Sequence, residues 1–443
     1  MLLRDYQIDT INKIHDKFCG YDRQYIEMPT GSGKTITFLS YAQKYHKKIL
    51  IVLPSCQLLD QVYSSSLLFY HKSQISRKGN RFNEKIADIH ISIINSISGD
   101  YLEFISQYKF DLIIIDEAHR SHGNLYKQLL KRFPNTKVLG VTATPQRSDG
   151  LFLEEILHTC SVKISIEELI NSKFLCDIEG FRINSNVDIG ENRIQNGDFN
   201  LKELYKKLST ESRNNLILSL CKNDMKNRKT LIFCINIKHS KEINKLLNEN
   251  GLSSKHIDGT MKSDERNAIL SSFRNGEINY LCNCQLLTEG FDEPSIDGLI
   301  LARPTLSRSL FIQMIGRGLR ISPGKLNCKV VDIVDNFKNI SNFTCIISDF
   351  SHRNIDSFKS IRDIKEHIIK ENVRLTEVKL EKVNIFSNFG YESKDEVPCM
   401  IDYLEKNNIK FFEPISFDEA SFLIWHNELK KEYTNGNNIR KIK

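Results

Sequence analysis

Short, uninterrupted runs of apolar residues recur along most of the chain, with amphipathic segments between them. Continuous Ile/Val/Leu runs are typical of strands covered on both faces, as in a parallel sheet with crossover helices. The spacing in "HSKEINKLLNEN" and "SDERNAILSSFRN" predicts two of those helices. The runs form two sets, "KILIVLP", "DLIIIDEAH" and "KVLGVTATP", then "TLIFCIN", "INYLCNC", "GLILARP" and "KVVDIVD".

The stretch between the two sets differs in composition from both of them. Residues 177–200 are rich in Asn, Asp and Gly and poor in large apolar groups, so we expect the chain to cross between domains there. After about residue 345 the alternation of strands and helices fades. The sequence therefore predicts an α/β fold of two parallel-sheet domains, 1–176 and 177–345, followed by a smaller C-terminal extension, 346–443.

The predicted extension carries helical patterns but no pattern that indicates its role. "IDSFKSIRDIKEHIIKENVRLTEV" and "DEASFLIWHNELKKEY" are the two candidate helices. Trp425, the only tryptophan, is expected to pack in a core rather than to stack on a base. Capping of the second domain, contact with nucleic acid and binding of a partner all stay open for this segment.

Length, cysteine usage and charge narrow the class of protein. A chain of 443 residues is typical of two or three domains. No apolar run approaches the ~18 residues that span a membrane, and charge follows the N-terminus at once, so a cytoplasmic location is predicted. Eleven cysteines without a CxxC pair predict buried thiols rather than a metal cluster. The net charge of the chain is +7, and the whole cationic surplus falls within residues 1–345, which permits a nucleic-acid partner.

The stretch "PTGSGKT" predicts a loop that binds the phosphates of a nucleotide. Its two glycines let backbone N–H groups converge on phosphate oxygens just before a helix N-terminus. Lys34 is expected to neutralise the outer phosphates, and the Thr35 hydroxyl to bind Mg²⁺. Met28 stands where the general pattern has its first glycine. The candidate nucleotide-binding residues of the loop are Pro29, Thr30, Gly31, Ser32, Gly33, Lys34 and Thr35.

A pair of carboxylates in "IIIDEAH" follows directly on a predicted buried strand. Asp116 is expected to hold Mg²⁺ through water, and Glu117 to polarise an attacking water. An isolated Asp-Glu pair would mark only the end of a strand. Together with the phosphate-binding loop upstream, the pair predicts a site that hydrolyses a nucleotide.

Two arginines in the second half offer cations to that site. In "QMIGRGLR", Arg317 and Arg320 are three residues apart, which predicts that they share one face of a helix with Gln313 nearby. Arginines so placed can reach the charge that develops on a γ-phosphate across a cleft. A solvated basic helix face is the alternative interpretation. "TEGFDEP" adds an acidic loop in which Gly290 would permit close backbone approach.

These motifs, taken in order, resemble those of superfamily 2 helicases of the DEAH type. The similarity is greatest to the group that contains type III restriction subunits and related DNA-repair helicases. It covers residues 2 to 320. The matching segments are "LRDYQ" for the adenine-binding motif, "MPTGSGKT" for motif I, "LPSCQLLDQ" for Ia, "DEAH" for II, "TATPQRSDG" for III, "LTEGFDEP" for V and "QMIGRGLR" for VI.

The resemblance implies a motor in which two RecA-like domains hold ATP and Mg²⁺ between them. A strand of nucleic acid lying across both domains would be gripped alternately as the cleft closes and opens. Glu117, Lys34, Gln313, Arg317 and Arg320 would be the catalytic residues. Further roles are implied for Arg4 and Gln7 at the adenine, Gly290 and Asp292 at the nucleotide, His119 in coupling the domains, Thr142 and Thr144 in linking hydrolysis to nucleic acid, and Pro54, Gln57 and Thr288 at the backbone of a bound strand.

Three hypotheses about function stay open on the sequence. The first is a monomeric nucleic acid-dependent ATPase that acts as a helicase or translocase, with DNA favoured over RNA by the resemblance alone. The second is a motor subunit in a restriction or phage-defence assembly, whose cutting is done by a partner because no nuclease signature is visible. The third is an ATP-gated clamp that binds nucleic acid without net movement.

Overall fold

The computed structural model of the chain describes residues 3–79, 81–144, 153–188, 194–195, 198–284, 287, 291, 293–305, 307–336 and 379–380. Several predictions fall outside these residues: the last six residues of the segment assigned to motif III, the predicted site residues Thr288, Gly290 and Asp292, and the two candidate helices of the extension with Trp425.

The first domain is built on an eight-stranded sheet in the order β4-β3-β5-β2-β6-β7-β1-β8, in which all pairs except β3–β4 are parallel. Its strands are β1 (Arg23–Glu27), β2 (Ile49–Leu53), β3 (Ile75–Gly79), β4 (Phe82–Asn83), β5 (Ile89–Ile93), β6 (Leu112–Asp116), β7 (Lys137–Thr142) and β8 (Cys160–Lys163). Its helices are α1 (Asp5–Lys17), α2 (Lys34–Tyr45), α3 (Cys56–Ser66), α4 (Gly99–Ser106), α5 (Asn124–Arg132), α6 (Glu154–Leu157) and α7 (Ile166–Asn171).

The first sheet is covered on both faces, as the continuous apolar runs predict. Every residue of β2 and β6 is buried. In β2, Ile49 and Ile51 join one apolar cluster, whereas Leu50 and Val52 join the cluster on the other face. Each such side chain contributes about 1.5–3 kcal/mol on burial. A sheet held from both sides fixes the carboxyl ends of its strands firmly, and the candidate site residues lie at those ends.

The second domain has a seven-stranded sheet in the order β13-β14-β12-β15-β16-β9-β17, parallel except for β17. Its strands are β9 (Asp177–Asp188), β12 (Thr230–Phe233), β13 (Ser254–Ile257), β14 (Tyr280–Asn283), β15 (Gly298–Leu301), β16 (Asn327–Asn336) and β17 (Lys379–Leu380). A separate hairpin pairs β10 (Ile194–Gln195) with β11 (Asp198–Phe199), and the helices are α8 (Leu201–Leu208), α9 (Glu211–Lys222), α10 (Ile237–Glu249), α11 (Ser263–Arg274) and α12 (Arg308–Ile315).

The prediction that the chain crosses between the two domains within residues 177–200 is wrong for the first half of that range. Residues 177–188 form β9, which pairs along its length with β16. The few apolar side chains of β9 are enough to bury it in the sheet because they lie on both of its faces. Ile178 joins one apolar cluster, and Phe181 and Ile183 join the cluster on the other face. Helix α7 packs into the core of this second sheet. The predicted domain boundaries at 176/177 and 345/346 stay predictions.

Most of the described cysteines are buried free thiols, as predicted. Cys19 and Cys56 are the exposed exceptions among the nine described. In the part of the chain that the structure describes, no helix is long and apolar enough to cross a bilayer.

Candidate functional site

The phosphate-binding loop lies between β1 and α2, where the sequence places it. Gly31 and Gly33 adopt positive φ values of +88° and +82°, a region that glycine enters without strain. Gly33 is the N-cap of α2 and offers no side chain to the helix, so the first N–H groups of α2 are free of a side-chain cap. Met28, which stands where the general pattern has a glycine, has a fully buried side chain that packs in the core of the first domain.

The N-terminal segment supports the loop from outside. The Gln7 amide nitrogen lies 3.4 Å from the Ser32 carbonyl oxygen, and the Tyr6 hydroxyl donates to the same oxygen. A Cβ on Gly33 would lie 2.7 Å from that Gln7 nitrogen, and the φ of +82° at Gly33 also favours glycine over residues with a side chain. The Arg4 guanidinium donates from Nη1 to the Tyr6 hydroxyl at 3.1 Å. Gln7 thus contacts the loop directly and Arg4 is connected to it through Tyr6, a residue that sequence reasoning passed over.

Lys34 lies among charges of both signs. Burial lowers the pKa of its ammonium, the carboxylates of Glu117 and Asp116 oppose that shift, and the guanidinium groups of Arg317 and Arg320 add to it. Its Nζ lies 3.3 Å from the Met28 carbonyl oxygen, so the ammonium is directed back onto the loop. The two carboxylates and the two guanidinium groups therefore lie close enough to influence the Lys34 ammonium.

The two predicted carboxylates stand at the carboxyl end of β6. Asp116 is 5% exposed, and its Oδ1 accepts the Glu117 backbone N–H at 2.9 Å. Glu117 has φ +50° and ψ +51°, a left-handed conformation that is uncommon for a residue with a side chain. Such conformations cost about 1–3 kcal/mol and cluster at active sites, where the surrounding structure enforces them.

A chain of contacts leads from these carboxylates to the end of β7. His119 Nδ1 lies 3.4 Å from Glu117 Oε2 and 3.3 Å from the Thr142 hydroxyl. Thr142 donates to the Thr144 carbonyl at 2.9 Å and accepts the Thr144 N–H at 3.1 Å. Both threonines are buried. The two threonines therefore extend the line of contacts that begins at the carboxylates. Because they are buried, they do not present a surface to nucleic acid in this conformation.

The expectation that Arg317 and Arg320 share a helix face is wrong. Helix α12 ends at Ile315, and Gly316 to Gly318 form a turn, because glycines on both sides of Arg317 do not favour helix. The two side chains nevertheless converge: each donates from Nη1 to the Phe291 carbonyl, at 2.6 Å for Arg317 and 3.0 Å for Arg320. Gln313 is buried within α12.

The turn that bears the arginines packs directly on the phosphate-binding loop. A Cβ on Gly316 would lie 2.4 Å from the Cβ of Thr30, which shows how closely the two backbones approach. A Cβ on Gly31 would lie 3.3 Å from Cγ of Arg320. The second domain thus brings its arginines to the loop of the first.

The donor set fits a nucleotide with Mg²⁺. The loop offers backbone N–H groups, a cation and the Thr35 hydroxyl, and the buried Asp116 supplies a carboxylate. Oxygen ligands of this kind, together with phosphate, are what Mg²⁺ prefers.

The predicted contacts to a nucleic-acid strand are placed only in part. Pro54 follows β2 and Gln57 lies in the first turn of α3, whose N-cap Ser55 accepts the Leu58 N–H at 3.4 Å. Both are partly exposed. They lie at the same edge of the first sheet as Asp116, because β2 and β6 are parallel neighbours.

Lys325 is a residue of this site that sequence reasoning missed. Its Nζ donates to the carbonyls of Gly318 at 2.6 Å and Arg320 at 2.8 Å, and lies 3.3 Å from the Pro294 carbonyl. It thereby ties the arginine-bearing turn to the segment that holds Phe291. The sequence "SPGK" held the signal, because Pro followed by Gly is typical of the two central residues of a type II turn. Gly324 has φ +78°, as such a turn requires, and the turn reverses the direction of the chain just before Lys325.

Replacing Lys325 with Met is expected to lower the kcat of nucleotide hydrolysis at this site about 10- to 100-fold, because small displacements of catalytic groups have effects of that size. The KM for ATP should change little, since Met keeps the aliphatic stem and no loop contact is removed. Steady-state kinetics check this, with Lys245→Met on the exposed face of α10 as the control. An unchanged kcat would mean that the arginines keep their positions without Lys325.

Two family models match the chain. Residues 1–147 match the model of the res subunit of type III restriction enzymes, and residues 189–322 match the helicase conserved C-terminal domain. The two matches fall on the two sheets in order.

Curated relatives are similar along most of this chain. A Saccharomyces cerevisiae protein, "Putative ATP-dependent helicase IRC3", is 32% identical over 356 residues, which are 75% of this chain and 51% of that protein. The type I restriction enzyme EcoAI endonuclease subunit of Escherichia coli is 26% identical over 74% of this chain and 46% of the length of that subunit. The chain spans about half the length of the curated relatives it matches.

Solved structures share the fold of this chain over about three quarters of its length. A fragment of an HsdR subunit of a type I restriction enzyme from Vibrio vulnificus YJ016 superposes with a TM-score of 0.57 at 25% identity, over 74% of this chain and 64% of that one. The Type ISP restriction-modification enzyme LlaBIII, solved bound to DNA, superposes with a TM-score of 0.57 at 20% identity, over 76% of this chain and 28% of the chain of that enzyme.

Proposed function

The chain belongs to the superfamily 2 helicases, with two RecA-like domains, and on that premise we propose that it is a nucleic acid-dependent ATPase acting on DNA as a helicase or translocase. The observation that carries the proposal is the approach of the arginine-bearing turn to the phosphate-binding loop, with Gly316 against Thr30 and Arg320 against Gly31. A nucleotide held by that loop is thereby within reach of both domains.

ATP is bound by the loop of the first domain. The N–H groups at the start of α2 bind phosphate oxygens, and the Lys34 ammonium leaves the Met28 carbonyl to neutralise the outer phosphates. Thr35 and Asp116 would hold Mg²⁺, which supplies charge neutralisation on the phosphates. Arg4 and Gln7, which border the loop, bind the adenine.

Hydrolysis is assigned to Glu117 and the two arginines. The Glu117 carboxylate orients water and accepts its proton, and its strained backbone holds it ready for that task. Arg317 and Arg320 exchange the Phe291 carbonyl for the γ-phosphate and stabilise the charge of the transition state. Because the arginines belong to the second domain, the site is complete only when the domains meet.

Coupling to nucleic acid is assigned to the contacts that run from Glu117 through His119 to Thr142 and Thr144. A change in charge at the γ-phosphate alters the hydrogen bonds of His119, and Thr142 passes this change to the segment after β7. Gln313 is assigned to coupling between the domains from its place in α12. Pro54 and Gln57 contact the backbone of the strand, so no sequence specificity is expected.

DNA is favoured over RNA by the names of the similar proteins. The relatives named as restriction enzymes include the Escherichia coli subunit, and the similar enzyme LlaBIII was solved bound to DNA. A protein named as an RNA helicase also matches, over 65% of this chain at 23% identity.

A motor subunit that serves a separate nuclease is the second candidate. It is favoured by the match of residues 1–147 to the res subunit model and by the similarity to an HsdR fragment. In this case the protein moves along DNA and a partner cuts it. Monomeric state and cytoplasmic location stay predictions, and one relative is named as mitochondrial.

The purified protein should show low ATPase activity alone, rising severalfold with DNA, because nucleic acid bound across both domains favours the closed cleft. Forked-duplex unwinding and triplex displacement, each run with DNA and with RNA, then distinguish the candidates. Displacement of a triplex strand without unwinding indicates a translocase. Stimulated turnover with neither activity indicates a clamp, and the absence of stimulation by either polymer would contradict the proposal.

A further inference from the structure

A basic hairpin lies at the outer edge of the first sheet and includes no residue of the motifs discussed above. It consists of β3, β4 and the residues that flank them, and β4 is the last strand of the sheet. Its cations outnumber its acids, since Glu84 is the only carboxylate within residues 72–85. The cations are Lys72, Arg77, Lys78, Arg81 and Lys85.

Arg77 fixes the hairpin and is not the group that a ligand would meet. Its guanidinium carbon lies 3.9 Å from the ring centre of Tyr63 and 3.8 Å from that of Phe82, so it is enclosed between two rings. Glu84 neutralises it through an Nη2–Oε1 contact of 2.7 Å. Backbone bonds between Arg77 and Glu84, of 2.8 Å to the carboxylate and 3.1 Å to the carbonyl, complete the junction. The hairpin is thus anchored on α3 through Tyr63.

The other cations give the hairpin a net positive surface. Lys72, Arg81 and Lys85 are exposed, and Lys78 is partly exposed. Lys78 is held in place by a 2.6 Å bond from Nζ to Asn83 Oδ1 and by the Tyr101 ring, whose centre lies 4.4 Å away. An ammonium has three donors, so Lys78 can still bind an anion.

The topology places this surface in line with the predicted strand contacts. β3 runs parallel to β5, and β5 runs parallel to β2, so all three carboxyl ends lie at one edge of the sheet. Lys78 and Gly79 end β3, and Pro54 follows β2. Neighbouring strands are about 4.8 Å apart, which puts the hairpin about 10 Å from Pro54. At about 3.4 Å per nucleotide this is about three nucleotides along a strand.

We propose that this hairpin binds the sugar–phosphate backbone of DNA and extends the nucleic-acid track outward from Pro54 and Gln57. The proposal rests on the proposed function, since it names a further contact surface for the same substrate. The contacts are electrostatic and go to phosphates, so they add affinity and register without sequence preference.

The test is the salt dependence of DNA binding by the full chain. Lys78→Gln with Arg81→Gln removes two phosphate contacts, and single-stranded DNA loses about 0.7 in the slope of log affinity against log salt for each contact. A fluorescein-labelled forked DNA, titrated by anisotropy across a range of KCl concentrations, should therefore give a slope shallower by about 1–2. Affinity at low salt should fall by a similar factor for DNA of any sequence.

The matched control removes the same charge from the opposite edge of the same sheet. Lys47 and Lys48 are exposed and precede β2, at the amino ends of the strands. Lys47→Gln with Lys48→Gln should leave the slope unchanged. Because Lys78 also bonds Asn83, a second variant, Arg81→Gln with Lys85→Gln, alters exposed side chains only and should reproduce the shallower slope.

The outcomes separate this proposal from the proposed function. A shallower slope in the hairpin variants but not in the control supports the hairpin as part of the track. Equal slopes in the hairpin variants and the wild type would contradict the proposed role of the hairpin, as would an equal loss of slope in the control. Either result would leave the proposal of a DNA-binding motor standing. Failure of the wild-type protein to bind DNA would overturn the proposed function itself.

Discussion

Replacing Glu117 with Gln is expected to lower DNA-stimulated ATP turnover about 10²- to 10⁴-fold, the range that a general base contributes. The amide has the shape of the carboxylate but cannot accept a proton from water. ATP affinity should change little, because Glu117 bonds none of the loop that binds phosphates. The measurement pairs steady-state ATPase with equilibrium binding of a fluorescent ATP analogue.

Two controls make this result specific. Glu103→Gln changes an exposed carboxylate on α4 and should leave turnover unchanged. Lys34→Ala should instead abolish nucleotide binding, because it removes the cation of the loop. If Glu117→Gln hydrolysed ATP at the wild-type rate, the base would have to be sought elsewhere, and the strained backbone at Glu117 would have no catalytic explanation.

The sheet strands could be predicted because they are buried on both faces. β2, β6, β12 and β15 each contain at least three consecutive large apolar residues, the pattern of a strand that is covered on both faces. The phosphate-binding loop was predictable for a related reason: Gly31 and Gly33 are needed at positive φ, so the chemistry and the backbone demand the same residues. Local sequence therefore determines both the sheets and the loop.

Contacts between distant segments could not be predicted in the same way. β9 has few apolar residues and is a strand because β16 pairs with it. The convergence of Arg317 and Arg320 depends on the Phe291 carbonyl, not on helical spacing. The enclosure of Arg77 between Tyr63 and Phe82 joins residues from a helix and a hairpin, and no local pattern announces it.

Replacing Arg317 with Ala is expected to lower stimulated turnover about 10³-fold or more, the effect of removing an arginine finger. The Ala variant loses the 2.6 Å bond to the Phe291 carbonyl and the cation beside Lys34. ATP affinity should fall far less than turnover, because the loop and its lysine are untouched and the arginine acts mainly on the transition state. Arg132→Ala at the exposed end of α5 serves as the control.

The ratio of the two losses in Arg317→Ala, in DNA-stimulated kcat and in equilibrium ATP affinity, tests most directly whether one ATP is acted on by both domains. A fall of about three orders of magnitude in kcat with nearly unchanged affinity is the predicted result. Wild-type turnover in this variant would show that the second domain contributes nothing to hydrolysis, and a motor driven by closure on ATP would then be excluded.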